Sequence, residues 1–189
     1  MRPSWVPAAW VKSSAPMTPA SAGLDPLSLV VNTEYGGAMH YARRYDEAIQ
    51  ILRKTLDMDR SFSFASWYFA QALERIGRCD EAIAELERVG AAGGIYILME
   101  LASAHAVAGR PKEARRILAE QLTKREFIDP GLVAMVHADL QDRDEAFRWL
   151  EKSYQERSPE IVFLKVEPKF DPLRSDPRFT SLLRWVKLV

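Results

Sequence analysis

The chain has few of the features that mark secreted, membrane or nucleic-acid-binding proteins. It contains one cysteine, Cys79, among 189 residues, which excludes a disulfide framework within the chain and fits a reducing compartment. Basic and acidic residues number 26 each. A nucleic-acid binder normally needs a basic surface to neutralise phosphates, so we expect no nucleic-acid partner.

Long hydrophobic runs are also lacking. No stretch approaches the roughly 18 consecutive apolar residues of a membrane span, so we expect no membrane partner. Pro7 interrupts the short apolar run of residues 5–11, whereas a secretory signal needs a longer continuous one. We therefore expect a cytoplasmic protein.

Motifs that carry chemistry are missing as well. The sequence has no phosphate-binding loop, dinucleotide fingerprint, zinc-protease motif or nucleophile elbow. His105 and His137 lie 32 residues apart, but no cysteine or acid stands at a spacing that would complete a metal site, so we interpret them as core residues. Cys79 is expected to be a buried, inert thiol. We expect no enzymatic activity, metal or cofactor.

What the sequence does contain is a repeat. The tetrapeptide DEAI occurs at residues 46–49 and 80–83. Aligning on its alanine extends the pattern at intervals of 34, 32 and 32 residues, through Ala48, Ala82, Ala114 and Ala146. A fixed period of this length predicts four stacked helical hairpins.

The second unit shows why each repeat should be a helix pair. Apolar residues recur at helical spacing up to Ile76, and Gly77 can end the helix in a left-handed conformation. Asp80 and Glu81 then lie in the first turn of the next helix, where carboxylates favour the helix dipole. We expect Ala82 to be small because two antiparallel helices cross beside it.

These units resemble the tetratricopeptide repeat family. The resemblance lies in small residues within the first helix of each unit, glycine at two hairpin turns and an aromatic residue before the first repeated alanine: Gly36, Ala70, Ala102, Ala134, Gly77, Gly109 and Tyr45. It implies an all-α, right-handed α–α superhelix. The four units would span about 27–60, 61–92, 93–126 and 127–157, and residues 158–189 would form a C-terminal capping segment.

The two ends differ from the repeats. Four prolines rule out one long helix after residue 158, and Ser175 or Asp176 can cap a final helix that covers the last hairpin. This segment also resembles the closing segment of bacterial multi-repeat regulatory proteins, and we expect a stand-alone or shortened relative of them. Residues 1–24 predict a flexible tail. Its Trp5 and Trp10 are either a carry-over from a fusion or dock on Leu27, Leu29 and Val30 of this or another copy.

The family resemblance also implies a binding groove, because the first helix of each hairpin lines its concave face. The predicted groove residues are Thr33, Tyr41, Trp67, Gln71, Glu74, Tyr96, Met99, Ser103 and Met135. Among them, Trp67, Tyr96 and Met99 would form an apolar stripe suited to an interface, although Trp67 can instead pack between hairpins.

The repeat pattern and the two ends favour two functions. The first is a non-catalytic module that binds a peptide or protein segment in the groove. The alternative is a structural unit that forms homo-oligomers through its uncapped N-terminal face or its tail. Light scattering of the full chain and of a form lacking residues 1–23 would discriminate between them.

Overall fold

The structure, a computed structural model, describes residue 25 and residues 27–188. The predicted tail, with Trp5 and Trp10, lies outside these residues. The described part contains nine α-helices and no β-strand: α1 Leu29–Tyr41, α2 Tyr45–Met58, α3 Ser63–Arg75, α4 Cys79–Val89, α5 Gly94–Val107, α6 Pro111–Lys124, α7 Pro130–Asp139, α8 Arg143–Gln155 and α9 Pro177–Trp185.

Helices α1 to α8 form four hairpins that stack in a row. Within each hairpin the two helices pack side by side, and the inner helices α1, α3, α5 and α7 also pack on one another in sequence. The outer helices α2, α4 and α6 contact the inner helix of the next hairpin. This is an all-α solenoid, closed at its C-terminal end by α9, and the predicted fold class is confirmed.

The repeated alanines are buried in the packing of the hairpins. Ala48, Ala82, Ala114 and Ala146 are all completely buried. In the first hairpin the approach is so close that a Cβ added to Gly36 would lie 2.5 Å from Cγ of Leu52. The absence of a side chain at Gly36 therefore allows the two helices of the first hairpin to pack closely.

Each hairpin turn contains one residue in the left-handed conformation. Gly77 and Gly109 have φ of 79° and 73°, as expected for glycine at the end of a helix. The equivalent positions of the first and fourth hairpins are Arg43 and Gln141, with φ of 64° and 62°. A residue with a side chain is strained in this conformation, so these two turns carry strain that the two glycine turns avoid.

Although the sequence has no uninterrupted apolar run as long as a membrane span, one segment, Cys79–Val107, is long enough and apolar enough on average to match one. In the fold it is not one straight helix. A 3₁₀ turn at Gly90–Gly93 separates α4 from α5, and Gly90 and Gly94 both have positive φ. The two helices pack against each other, so the segment forms the join between the second and third hairpins.

The C-terminal helix covers the last hairpin. Asp176 caps α9 by accepting a hydrogen bond from the backbone N–H of Arg178 at 2.9 Å. Phe179 and Leu182 of α9 are buried in one apolar cluster with Phe147 and Leu150 of α8. The chain between α8 and α9 does not cover the last hairpin as α9 does. It crosses the concave face of the solenoid.

Candidate binding groove

The concave face is occupied by the chain itself. Residues 158–173, here called the groove segment, leave α8 and lie against the inner helices. The segment contains two 3₁₀ turns, Pro159–Phe163 and Pro168–Leu173. At its start the hydroxyl of Ser158 donates a hydrogen bond to the Asp129 carboxylate that caps α7. Its buried residues Leu164, Val166 and Phe170 join the apolar clusters of the solenoid.

The groove segment reaches back to the first hairpin. Phe163 stacks on Tyr41 of α1 with ring centroids 5.2 Å apart. Arg43, at the first hairpin turn, donates hydrogen bonds to the carbonyl of Val166 and to the carboxylate of Asp171, both at 2.8 Å. These contacts thus join the first hairpin to the segment that follows the fourth hairpin, more than 120 residues later in the sequence.

A buried carboxyl lies beside α5 in the middle of the groove. The hydroxyl of Tyr96, on α5, donates a hydrogen bond to Oε1 of Glu160 at 3.1 Å. Burial raises the pKa of Glu160 to about 7, although the Tyr96 hydrogen bond acts in the opposite direction. At neutral pH this side chain is therefore close to its midpoint of ionisation.

A lysine of the groove segment lies at the centre of a carboxylate cluster. Nζ of Lys169 lies 3.0 Å from Glu74, 2.7 Å from Glu100 and 3.0 Å from Asp139. These acids come from α3, α5 and α7, so one ammonium joins three successive hairpins. The Lys169 side chain is only 1% exposed. Burial alone would lower the pKa of Lys169, but the three carboxylates raise it well above its usual value.

The acidic groups of this cluster outnumber the basic ones. Arg75 is the second cation and contacts Asp139 at 3.2 Å. Burial, and then the neighbouring Glu100, raise the pKa of Glu74 well above its usual value. Burial also raises the pKa of Glu167, in the groove segment, to about 7. A cavity of about 300 Å³, lined in part by Glu74, Arg75, Asp139 and Pro172, opens beside the cluster.

The predicted groove residues are mostly covered in this structure. All but Tyr96, which is partly exposed, are buried: Thr33, Tyr41, Trp67, Gln71, Glu74, Met99, Ser103 and Met135. Three of the predicted residues contact the groove segment: Tyr41, Glu74 and Tyr96. In this structure these three side chains are therefore held by another part of their own chain.

The predicted apolar stripe is part of the packing between hairpins. The rings of Trp67 and Tyr96 meet edge to face at a centroid distance of 5.2 Å, and Trp67 also stacks on Phe64. Met99 belongs to the apolar cluster of the third and fourth hairpins. The interpretation of Trp67 as a packing residue agrees with this placement, and a binding role for the stripe stays a prediction.

Several polar atoms on the inner helices are buried without a partner. Within residues 27–188, no hydrogen bond reaches the side-chain amide of Gln71, the hydroxyl of Thr33 or the indole N–H of Trp67. Gln71 lies on the same face of α3 as Tyr68 and Glu74, one helical turn from each. The groove segment thus supplies no hydrogen bond to the side chains of Gln71, Thr33 and Trp67.

The other predicted residues occupy varied environments. His40 is buried among the rings of Tyr41, Tyr45 and Tyr68, and this burial lowers its pKa well below the usual value. Cys79 is half-buried, and burial raises the pKa of its thiol. Among the described residues, no group of three or more histidine, cysteine, aspartate or glutamate side chains is arranged so that it could hold a metal ion.

The predicted self-association surface is partly open. Leu27 is 75% exposed and Val30 58% exposed, while Leu29 is partly buried. These residues lie at the start of α1, on the side where no earlier hairpin covers them in the described structure. Trp5 and Trp10, predicted to dock here, lie outside the described residues.

Three residues of the groove were not predicted from the sequence: Lys169, Glu100 and Arg43. Lys169 belongs to a segment expected only to cover the last hairpin. The three acids that it contacts do not follow the repeat, because the positions equivalent to Glu74 in the next two hairpins are Ala106 and Ala138. An alignment of the units therefore gives no signal that these acids converge.

Comparisons with known proteins find a likeness in structure but no match in sequence. No family model matches the chain, and no curated protein matches its sequence. Among solved structures, the chain is similar to the crystal structure of YrrB, described as a TPR protein with an unusual peptide-binding site. The alignment covers 90% of this chain and 91% of that chain, with 14% sequence identity and a TM-score of 0.48.

Proposed function

We propose that this chain is a non-catalytic protein-interaction module that binds a peptide or protein segment in the groove formed by α1, α3, α5 and α7. The observation that carries the proposal is the groove segment itself. It is a stretch of polypeptide without α-helix that lies in the groove and is held by its side chains and its backbone. A surface that holds one such segment has the chemistry to hold another.

Three kinds of contact support this proposal. The stacking of Phe163 on Tyr41 buries an aromatic side chain, and aromatic residues dominate the energetics of peptide interfaces. The hydrogen bond from Arg43 to the Val166 carbonyl recognises backbone, which any sequence supplies. The pairing of Lys169 with three acids adds a charge requirement.

The test is whether the groove accepts this polypeptide from solution. Phe163→Ala in the full chain removes the stacking on Tyr41 and should loosen the groove segment. We expect this variant to bind a fluorescein-labelled peptide of residues 158–173 at least ten times more tightly than a scrambled peptide, as measured by fluorescence anisotropy.

The matched control is Val162→Ala, since Val162 is the neighbouring residue and its side chain is largely exposed. It should bind the peptide as weakly as the wild-type chain does. If Phe163→Ala binds native and scrambled peptides equally, the groove does not recognise polypeptide and the proposed function fails.

Self-association is a second candidate function, favoured by the exposure of Leu27 and Val30 at the N-terminal end of the solenoid. Exposed apolar side chains that lie together mark interaction surfaces. If they mediate assembly, Leu27→Glu with Val30→Glu should shift the full chain to monomer in analytical ultracentrifugation. A monomeric wild-type chain at all concentrations would reject this candidate.

A further inference from the structure

The Lys169 site has the geometry of a receptor for a single ammonium group. Its three carboxylates converge on Nζ within 2.7–3.0 Å, and their side chains are at most 5% exposed. An ammonium has three N–H donors, and each can point at one carboxylate. The acids belong to the inner helices α3, α5 and α7 and not to the groove segment, so they stay in the solenoid when the segment leaves.

This geometry discriminates between side chains. The guanidinium of arginine is planar and presents its donors in a fork, which suits one carboxylate better than three that surround a point. A neutral side chain would leave three buried carboxylates with Arg75 as the only cation beside them among the described residues. An unpaired buried charge is strongly unfavourable, so a segment without lysine should bind poorly here.

We propose that the groove selects partner segments that carry a lysine six residues after an aromatic residue, and that residues 158–173 are a built-in competitor which such a partner displaces. The spacing is that of Phe163 on Tyr41 and Lys169 in the acidic receptor. This inference rests on the proposed function and defines the partner of the same groove.

The groove segment is an imperfect occupant, which makes its displacement feasible. It brings two carboxyls, Glu160 and Glu167, into buried positions where burial raises the pKa of each to about 7. It also leaves the Gln71 amide without a partner among the residues described. A partner that lacks these acids and offers a hydrogen-bonding group to Gln71 would fit better than the chain's own segment.

Access to the receptor is also open on one side. The cavity of about 300 Å³ beside the cluster is lined by Glu74 and Asp139 themselves. A competing lysine can therefore enter beside the cluster, and it can reach the carboxylates, which are at most 5% exposed, as Lys169 leaves.

The test supplies a lysine from solution to a chain that lacks its own. The full chain with Lys169→Met is titrated with two labelled peptides of residues 158–173, one native and one with methionine in place of the lysine. We expect the variant to bind the native peptide at least tenfold more tightly than the methionine peptide. The matched control is Lys165→Met, because Lys165 is exposed and belongs to the same segment; it should bind both peptides as weakly as wild type.

The outcomes separate this inference from the proposed function. Equal binding of both peptides overturns the lysine requirement but leaves groove binding intact. Binding of neither peptide, by a variant whose circular dichroism matches wild type, overturns both.

Two further measurements cover the remaining cases. If Lys169→Met does not fold, the wild-type chain is titrated at higher peptide concentrations, and a preference below tenfold overturns the inference. If wild-type chains form dimers that Lys169→Met dissociates, the segment is exchanged between two copies, and the assignment to a different partner is overturned.

Discussion

Replacing Lys169 by methionine should destabilise the fold, and the loss should depend on pH. Methionine keeps a similar volume but removes the ammonium, so three carboxylates with side chains at most 5% exposed lose their shared cation. Removing one partner of a buried ion pair costs about 3–5 kcal/mol. We expect the free energy of unfolding to fall by about this amount at pH 8.

The pH dependence follows from linkage. Burial and the neighbouring Glu100 already raise the pKa of Glu74 above its unfolded value, and Lys169 opposes this rise, so loss of the ammonium should raise the pKa of Glu74 further. The protonated form of Glu74 relieves the repulsion, so the loss should be small near about pH 4.5 and should grow as the pH rises through the folded-state pKa of Glu74. Urea unfolding followed by circular dichroism at about pH 5 and about pH 8 measures both values.

Lys165→Met provides the control, because an exposed side chain typically contributes within about 0.5 kcal/mol. A loss below about 1 kcal/mol for Lys169→Met at pH 8, or the same loss at both pH values, would refute the interpretation of the cluster as a buried ammonium receptor.

Three other changes test the fold and the groove. Ala82→Leu should lower the free energy of unfolding by about 1–3 kcal/mol, since Ala82 is completely buried between crossing helices; no loss in urea unfolding would contradict the close crossing. Gln141→Gly should raise it by about 0.5–1 kcal/mol, because glycine adopts φ of 62° without steric strain; destabilisation would show that the turn is not strained. Burial raises the pKa of Glu160 to about 7. Between its unfolded-state pKa and this value, Glu160 keeps its proton in the folded state but loses it in the unfolded chain. Stability should therefore fall between about pH 4.5 and 7, by on the order of 3 kcal/mol. Glu160→Gln should flatten this dependence in unfolding curves measured at several pH values, and an unchanged slope would count against it.

The sequence predicts the solenoid well because its periodic features are local. Ala48 and Ala82 repeat because each hairpin has the same crossing, and Gly77 and Gly109 repeat because each turn needs a left-handed residue. Asp176 before Pro177 predicts the start of the last helix, which the structure confirms. Each of these signals is contained within about ten residues.

The occupied groove was not predictable in the same way. Its contacts join residues that are far apart in sequence, such as Lys169 and Glu74, separated by 95 positions. Each of the three acids lies on a different helix and at a different position of the repeat. An alignment of the repeats therefore does not reveal them. One hint was present: Lys169 follows Pro168 and precedes Phe170 in a segment whose neighbours are largely apolar, and a charged residue buried there requires partners.

The contacts of Arg43 with Val166 and Asp171 also limit how this protein can change its size. Stacked repeats usually tolerate the gain or loss of a unit, because each unit contacts only its neighbours. Here an inserted hairpin between the second and third would move Arg43 away from its acceptors by about 10 Å, the usual spacing of packed helices, which is beyond the reach of a hydrogen bond. The length of the array is therefore matched to the length of the segment that spans it.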